Sequence, residues 1–251
     1  CNRMVRKLLS PRWILIHVGV VSLIFFMFNL GFWQLNRLED KKDFNSVLRA
    51  HTSTPIQPLD QAVPTKWDKA TNEWVRVSIT GTYDSSKAVT IINRSQDGSA
   101  GYNSAVPFTS TSNRTILVNR GFVPLVMSAP AAPSGRIEIV GYLRASQSRS
   151  ALGPIDSTDA SNTEFQRFDV PLIAAHVGRT IEPMFLQLIQ ETPAPTSPWP
   201  AKVPLPPLDE GTHFSYAMQW FFFCLVALAA WVVVVRRKIA QVNALTQAQT
   251  S

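Results

Sequence analysis

Cysteine is nearly absent: the 251 residues hold two, Cys1 and Cys224. That is too few for a disulfide framework and too few for a copper or zinc site built on thiolates. Catalytic signatures are missing as well. The chain has no Gly-x-x-x-x-Gly-Lys-Ser/Thr loop, no Gly-x-Ser-x-Gly elbow, no His-Glu-x-x-His and no Cys-x-x-Cys. His51 and His176 have no nucleophile or carboxylate placed beside them in sequence, which reads them as surface or helix-end histidines. These absences point away from an enzyme.

Charge of either sign is missing from two stretches, Trp13 to Asn36 and Phe214 to Val235. The second is 22 residues long. At about 1.5 Å per residue, either stretch suffices to cross a hydrocarbon core of roughly 30 Å. Acid is missing from both ends of the chain. Arg3, Arg6, Lys7 and Arg12 precede the first stretch and Arg236, Arg237 and Lys238 follow the second, and these seven cations equal the whole formal excess of +7. The middle of the chain is therefore electroneutral, which removes the support for nucleic-acid binding. Basic tails around apolar spans are the positive-inside pattern.

The expected layout is a cytoplasmic tail (1–12), a transmembrane helix (13–36), an extracytoplasmic domain (37–210), a second transmembrane helix (211–235) and a second cytoplasmic tail (236–251). The first apolar run is longer than a signal-peptide core and lacks a small-residue cleavage motif, so it reads as an anchor. Twelve residues ahead of it are few for a mitochondrial transit peptide, and the expectation is a bacterial plasma membrane protein with both termini in the cytoplasm. Cys1 has no lipobox before it and basic residues after it, against a lipoprotein; Met4 is a candidate start of translation.

After the first span no Gly or Pro occurs until Pro55, which predicts that the helix continues to about His51. From Trp74 the period changes to two: Val75, Val77 and Ile79 share one face, and Arg76, Ser78 and Thr80 share the other. Similar runs at Ala88–Asn93, Tyr102–Phe108, Thr115–Phe122, Arg136–Leu143 and Ile181–Leu188 are separated by turn-rich segments. The fold class is thus two transmembrane helices flanking a β-rich (α+β) domain, with a small antiparallel sheet or barrel. A short helix is predicted over Pro171–Val177, capped by Asp169 and ended by Gly178. Residues 193–208 carry seven prolines and predict a stiff, extended strap. Two fragments, "TIINR" ending at Arg94 and "ILVNR" ending at Arg120, read as strands with similar ends.

The membrane histidines differ. His17, near the start of the first span, is suited to bonding a neighbouring helix. His213 opens the second span, and His213, Tyr216 and Trp220 follow the i, i+3, i+7 spacing of one helix face. Gly31, Trp33, Gln34 and Arg37 lie at the same depth on the first span, where Gly31 permits close approach. An imidazole for iron, aromatic walls for a macrocycle and an arginine for a propionate are the parts a haem needs. Aromatic residues at span ends also serve simply as a membrane-interface belt.

The segments "LGFWQLNRLEDKK", "VRVSITGTYD", "GYNSAVPF", "ILVNRGFVP" and "HFSYAMQWF", in this order, resemble the Surfeit locus protein 1 family of cytochrome c oxidase assembly factors. Asn119-Arg120-Gly121 and the His213, Tyr216, Ala217, Trp220, Phe221 set carry most of the likeness. Phe122 departs from the family's usual Trp, and Glu210-Gly211-Thr212 departs from its asparagines before the histidine. The resemblance implies a membrane assembly factor that binds haem A and delivers it to oxidase subunit I. His213 would hold the iron, Tyr216 and Trp220 would pack the ring, and Arg37 would meet a propionate. The partners implied are oxidase subunits, a bc-oxidase supercomplex and the lipid bilayer. The alternative is a structural accessory subunit of an oxidase or supercomplex that binds no cofactor.

Overall fold

The computed structural model describes residues 10–157, 159 and 161–248, with the backbone alone for 245–248. The expectations for Cys1, Arg3, Met4, Arg6 and Lys7 fall outside the described residues. The chain forms two compact units, Cys1–Ser46 with Leu208–Ser251, and Val47–Pro207.

Two long helices dominate the first unit. Helix α1 (Pro11–Ser53) begins at the first proline of the basic segment and stops just before Thr54-Pro55, where a residue preceding proline is pushed out of the helical region. It thus continues past the apolar stretch, as its uninterrupted sequence predicts. Both α1 and the last helix, His213–Ala248, are long and apolar enough to cross a membrane. Most of their apolar side chains face outward: Leu15 is 73% exposed, Phe25 69% and Leu225 65%. A surface of that kind needs lipid or another apolar covering.

The inward contacts of the two helices are few and specific, and their register is antiparallel. Phe221 fills the space over Gly31, where an added Cβ would stand 2.6 Å from the ring. The Phe221 ring also meets Phe28 and Phe32 edge-on. Ala217 is fully buried, the Cys224 thiol donates to the Ile24 carbonyl at 3.6 Å, and Trp231 Nε1–H donates to His17 Nδ1 at 3.1 Å. His17 is therefore a helix-to-helix acceptor, the role its position suggests.

Among the described residues the second unit carries eight strands: β1 (Gln57–Pro58), β2 (Arg76–Tyr83), β3 (Val89–Gln96), β4 (Ser99–Ser110), β5 (Thr115–Pro124), β6 (Ile137–Ala145), β7 (Glu164–Phe165) and β8 (Met184–Thr192). Between them lie single-turn helices α2 (Leu59–Ala62) and α3 (Lys69–Asn72) and the longer α4 (Val170–Val177); the last helix of the chain is α5. The sheet order is β1-β2-β6-β8-β5-β4-β3-β7, and β2 also pairs with β4.

The sheet is mixed, which corrects the antiparallel expectation. The pairs β1–β2, β3–β7 and β5–β8 are parallel. A parallel pair needs a crossover connection, and the chain between β5 and β8 supplies one by laying down β6 and α4 before returning. Periodicity identifies strands but does not say which become neighbours, so this was invisible in the pattern.

Side-chain alternation divides the interior into two clusters. Ile116 and Val118 of β5 face a core with Val77, Ile79, Phe108, Ile139 and Leu186. Leu117 between them faces a second core with Ile91, Phe165, Ile173 and Phe185. A fully buried side chain such as Phe108 contributes roughly 1.5–3 kcal/mol over its exposed state. Helix α4 delivers Ile173 and Val177 to the second core and is capped as predicted: the Asp169 carboxylate accepts from Leu172 N, and Gly178 takes the left-handed conformation at φ +67°.

The proline-rich strap has no helix of its own. It is stitched down by a two-bond bridge between Phe122 and Ala201 and by side-chain donation from Gln187 to the Val203 carbonyl and from Gln96 to the Lys202 carbonyl. Gly121, at φ +133°, lies so close that an added Cβ would stand 2.2 Å from the Ala201 oxygen.

Candidate functional site

His213 is the first residue of α5 and is half-buried. It is preceded by Gly211 in the left-handed region at φ +67°, which turns the incoming chain into the helix. Two contacts anchor that incoming chain to α1. Asn45 Nδ2 donates to the Asp209 carbonyl at 2.9 Å, and Lys42 pairs with Glu210 at 3.7 Å.

The imidazole is oriented by α1. Its Nδ1 lies 2.9 Å from Gln34 Oε1. An amide oxygen only accepts, so Nδ1 is the donor in this contact, and in the neutral imidazole that tautomer leaves the lone pair on Nε2. Nε2 makes no hydrogen bond among the described residues, and Gly211 flanks it: a Cβ there would sit 3.6 Å from Nε2. A second partner that fixes tautomer and ring angle is the usual support of a metal-binding histidine.

The other expected residues stand differently. On α5 the residues that meet α1 are His213, Phe221, Cys224 and Trp231, whereas Tyr216 is 50% exposed. Trp220 is half-buried and meets Phe223 edge-on at 6.0 Å. Among the described residues no hydrogen bond or ring contact joins Tyr216 or Trp220 to His213. Arg37 keeps to its own helix, 3.4 Å from Asp40 and 5.9 Å above the Trp33 ring. Both charges of that pair are exposed, so the pairing is weak and the guanidinium is easily diverted to another carboxylate.

The donor set limits what can be held. Among the described residues no group of three or more His, Cys, Asp or Glu could hold a bare metal ion. Haem iron is different, because the macrocycle brings four nitrogens and asks the protein for one or two axial ligands. A single imidazole whose Nε2 has no hydrogen bond among the described residues meets that requirement, and the rings of Trp33 and Tyr216 are exposed. The space at Gly31 does not, since Phe221 occupies it.

The other two histidines, His51 in the last turn of α1 and His176 in α4, make packing contacts within the second unit. His51 Nδ1–H donates to the Glu73 carbonyl at 2.6 Å, and His176 packs edge-on to Phe165. Gln34, which the sequence places at the depth of the histidine, is its hydrogen-bond partner. The buried core of the second unit contains an ion pair of Arg120 with Glu191 at 3.3 Å. Tyr83 donates to the same carboxylate at 2.7 Å. Burial, followed by the nearby Glu191 charge, pushes the Tyr83 hydroxyl far above the usual phenol range. Arg120 of the Asn-Arg-Gly segment is thus engaged within the sheet interior.

A family model, described as SURF1 family, matches residues 21–225. The chain belongs to the SURF1 family. Its relatives include the SURF1-like protein of Monosiga brevicollis, 31% identical across 90% of this chain and 87% of the relative. Surfeit locus protein 1 of Takifugu rubripes is 26% identical across 91% of this chain and 98% of the relative. An uncharacterized SURF1-like protein of Mycobacterium tuberculosis is 29% identical across 88% and 82%. SURF1 proteins are generally known as oxidase assembly factors. With two candidate spanning helices, this SURF1 chain is a membrane protein.

Proposed function

We propose that this SURF1 protein serves oxidase assembly by holding haem A at the His213 end of its helix pair and delivering it to oxidase subunit I. One observation supports the reading: Gln34 Oε1 accepts a hydrogen bond from His213 Nδ1, which in the neutral imidazole leaves Nε2 as the nitrogen able to meet iron. Tyr216 offers an exposed ring to a macrocycle, and Arg37, paired with the exposed Asp40 and lying over the Trp33 ring, offers a charge to a propionate. Bound haem A supplies the iron centre that the oxidase uses. The chain's own part is to bind, orient and release, and one protein ligand favours release over two.

In this reading the helices cross a bacterial plasma membrane with both basic tails in the cytoplasm, so that His213 lies at the external face. The test is the visible spectrum of the full chain purified from cells competent in haem A synthesis. A Soret band in the wild type that is lost in His213→Ala is the expected result. A colourless wild type overturns it and leaves the accessory-subunit reading, which the closely packed Phe221–Gly31 contact would serve equally well.

A further inference from the structure

The fragments "TIINR" and "ILVNR" end in arginines with opposite fates. Arg120 is sealed in the core against Glu191. Arg94 is half-buried and forms no ion pair among the described residues; its Nη2 donates to the Gln166 carbonyl at 3.0 Å. The nearest stretch of chain does contain a well-placed acid, Asp156, but that carboxylate is committed to Arg167 at 2.7 Å and to the Gln166 amide. Burial lowers the Arg94 affinity for its proton, the mark of a guanidinium that has lost water without gaining an anion.

Local backbone geometry aims this side chain. The β3–β4 register breaks between Ile91 and Arg94, and Asn93 sits in the left-handed region at φ +58°. A bulge of this kind redirects the side chain that follows it. Arg94 faces a cavity of about 370 Å³ whose walls include Ile92, Gly101, Tyr102, Leu125 and Glu164. That volume lies within the range of small-ligand sites, roughly 300–1,000 Å³. Glu164 is exposed and makes no ion pair with Arg94.

Beside the cavity is an apolar tip that a solvated protein has no reason to display. Leu125 is 68% exposed, Val126 93% and Met127 42%. The tip is held in place: Tyr102 Oη–H donates to the Met127 carbonyl and accepts from Ala129 N, and Leu125 N donates to the Ala100 carbonyl. A pre-ordered apolar knob next to an uncompensated cation matches a peptide that offers an acid and an apolar side chain together. A free small acid would use the arginine and leave the knob bare.

We propose that the Arg94 cavity is a docking site for an acidic segment of a protein partner, whose carboxylate pairs with Arg94 while a neighbouring apolar side chain covers Leu125 and Val126. The site lies wholly in the second unit and does not depend on the haem reading. The test uses the full chain in its own membranes, with a photo-crosslinking amino acid at Val126. Adducts are digested and the attached peptide is sequenced, then synthesised with its acids intact or as amides for titration against the purified chain in detergent.

The expected result is one attached segment that contains Asp or Glu, loss of the adduct in Arg94→Gln but not in Arg136→Gln, and binding weakened about tenfold or more by amidation. Absence of an adduct, an adduct indifferent to Arg94→Gln, an attached segment without an acid, or equal binding of the amidated peptide would each overturn the proposal. Equal Arg94-dependent binding of free glutamate would do the same by making the cavity a small-anion site. Thermal unfolding of Arg94→Gln, unchanged against wild type, separates lost docking from lost fold.

Discussion

Arg120 Nε lies 3.3 Å from Glu191 Oε1, with both side chains almost sealed from solvent. Arg120 also donates to the Pro130 carbonyl and lies over the Tyr83 ring, so removing it strands a buried carboxylate. Arg120→Ala is expected to cost about 3–5 kcal/mol. The double variant Arg120→Met with Glu191→Leu, which leaves no lone charge, should cost clearly less. Urea unfolding of the full chain in detergent, followed by tryptophan fluorescence, checks the order; a double variant as unstable as Arg120→Ala would contradict it.

Gly31 is a point of close contact between α1 and α5, because the Phe221 ring stands where a side chain would begin. Gly31→Leu should force the helices apart at a cost of roughly 1–3 kcal/mol. Adding Phe221→Ala should recover most of that loss. Thermal unfolding in micelles reads both, and failure of the second change to rescue the first would show that the ring is not the obstacle.

Two glycines separate backbone strain from crowding. Gly98 has φ +77° with open space around it, whereas Gly121 has φ +133° and faces the Ala201 carbonyl at a distance no Cβ tolerates. Gly98→Ala should cost about 1 kcal/mol. Gly121→Ala should cost more and detach the strap. Amide exchange at Phe122 and Ala201 should rise only in the second variant.

Gln34→Leu leaves His213 in place and removes the acceptor of its Nδ1 proton. If the imidazole holds haem, retention should fall about 10–100-fold while the absorption bands persist at high haem concentration. Gln34→Glu should retain haem better than Gln34→Leu, since a carboxylate accepts the same proton. Haem titration followed at the Soret band distinguishes these outcomes from a histidine that is merely packed.

Periodicity and capping chemistry were legible to within a few residues. The alternation from Val75 to Thr80 became β2, Asp169 and Gly178 bound α4, and the uninterrupted stretch after Asn36 extended α1 to Ser53. Partner choice was not legible. Nothing local to Leu117 or Phe185 says that their strands run parallel, because that follows from where the crossover returns. The site shows the same division. Gly31 announced close approach by its size, but the occupant of that space, Phe221, and the anchor of His213, Gln34, are contacts between helices 179 or more residues apart in sequence. The two Asn-Arg fragments looked alike, and only the fold reveals that one arginine meets an acid.

The strap ties distant parts of the second unit together. Gln187 on β8 donates to the Val203 carbonyl 16 residues on, and Gln96 on β3 donates to the Lys202 carbonyl 106 residues on. A ribosome that stops short of Trp199 would release a sheet with the Phe122 backbone unanswered. Ala201, Lys202 and Val203 thus work as a clasp across β5, β3 and β8, and the prolines around them hold that short segment extended.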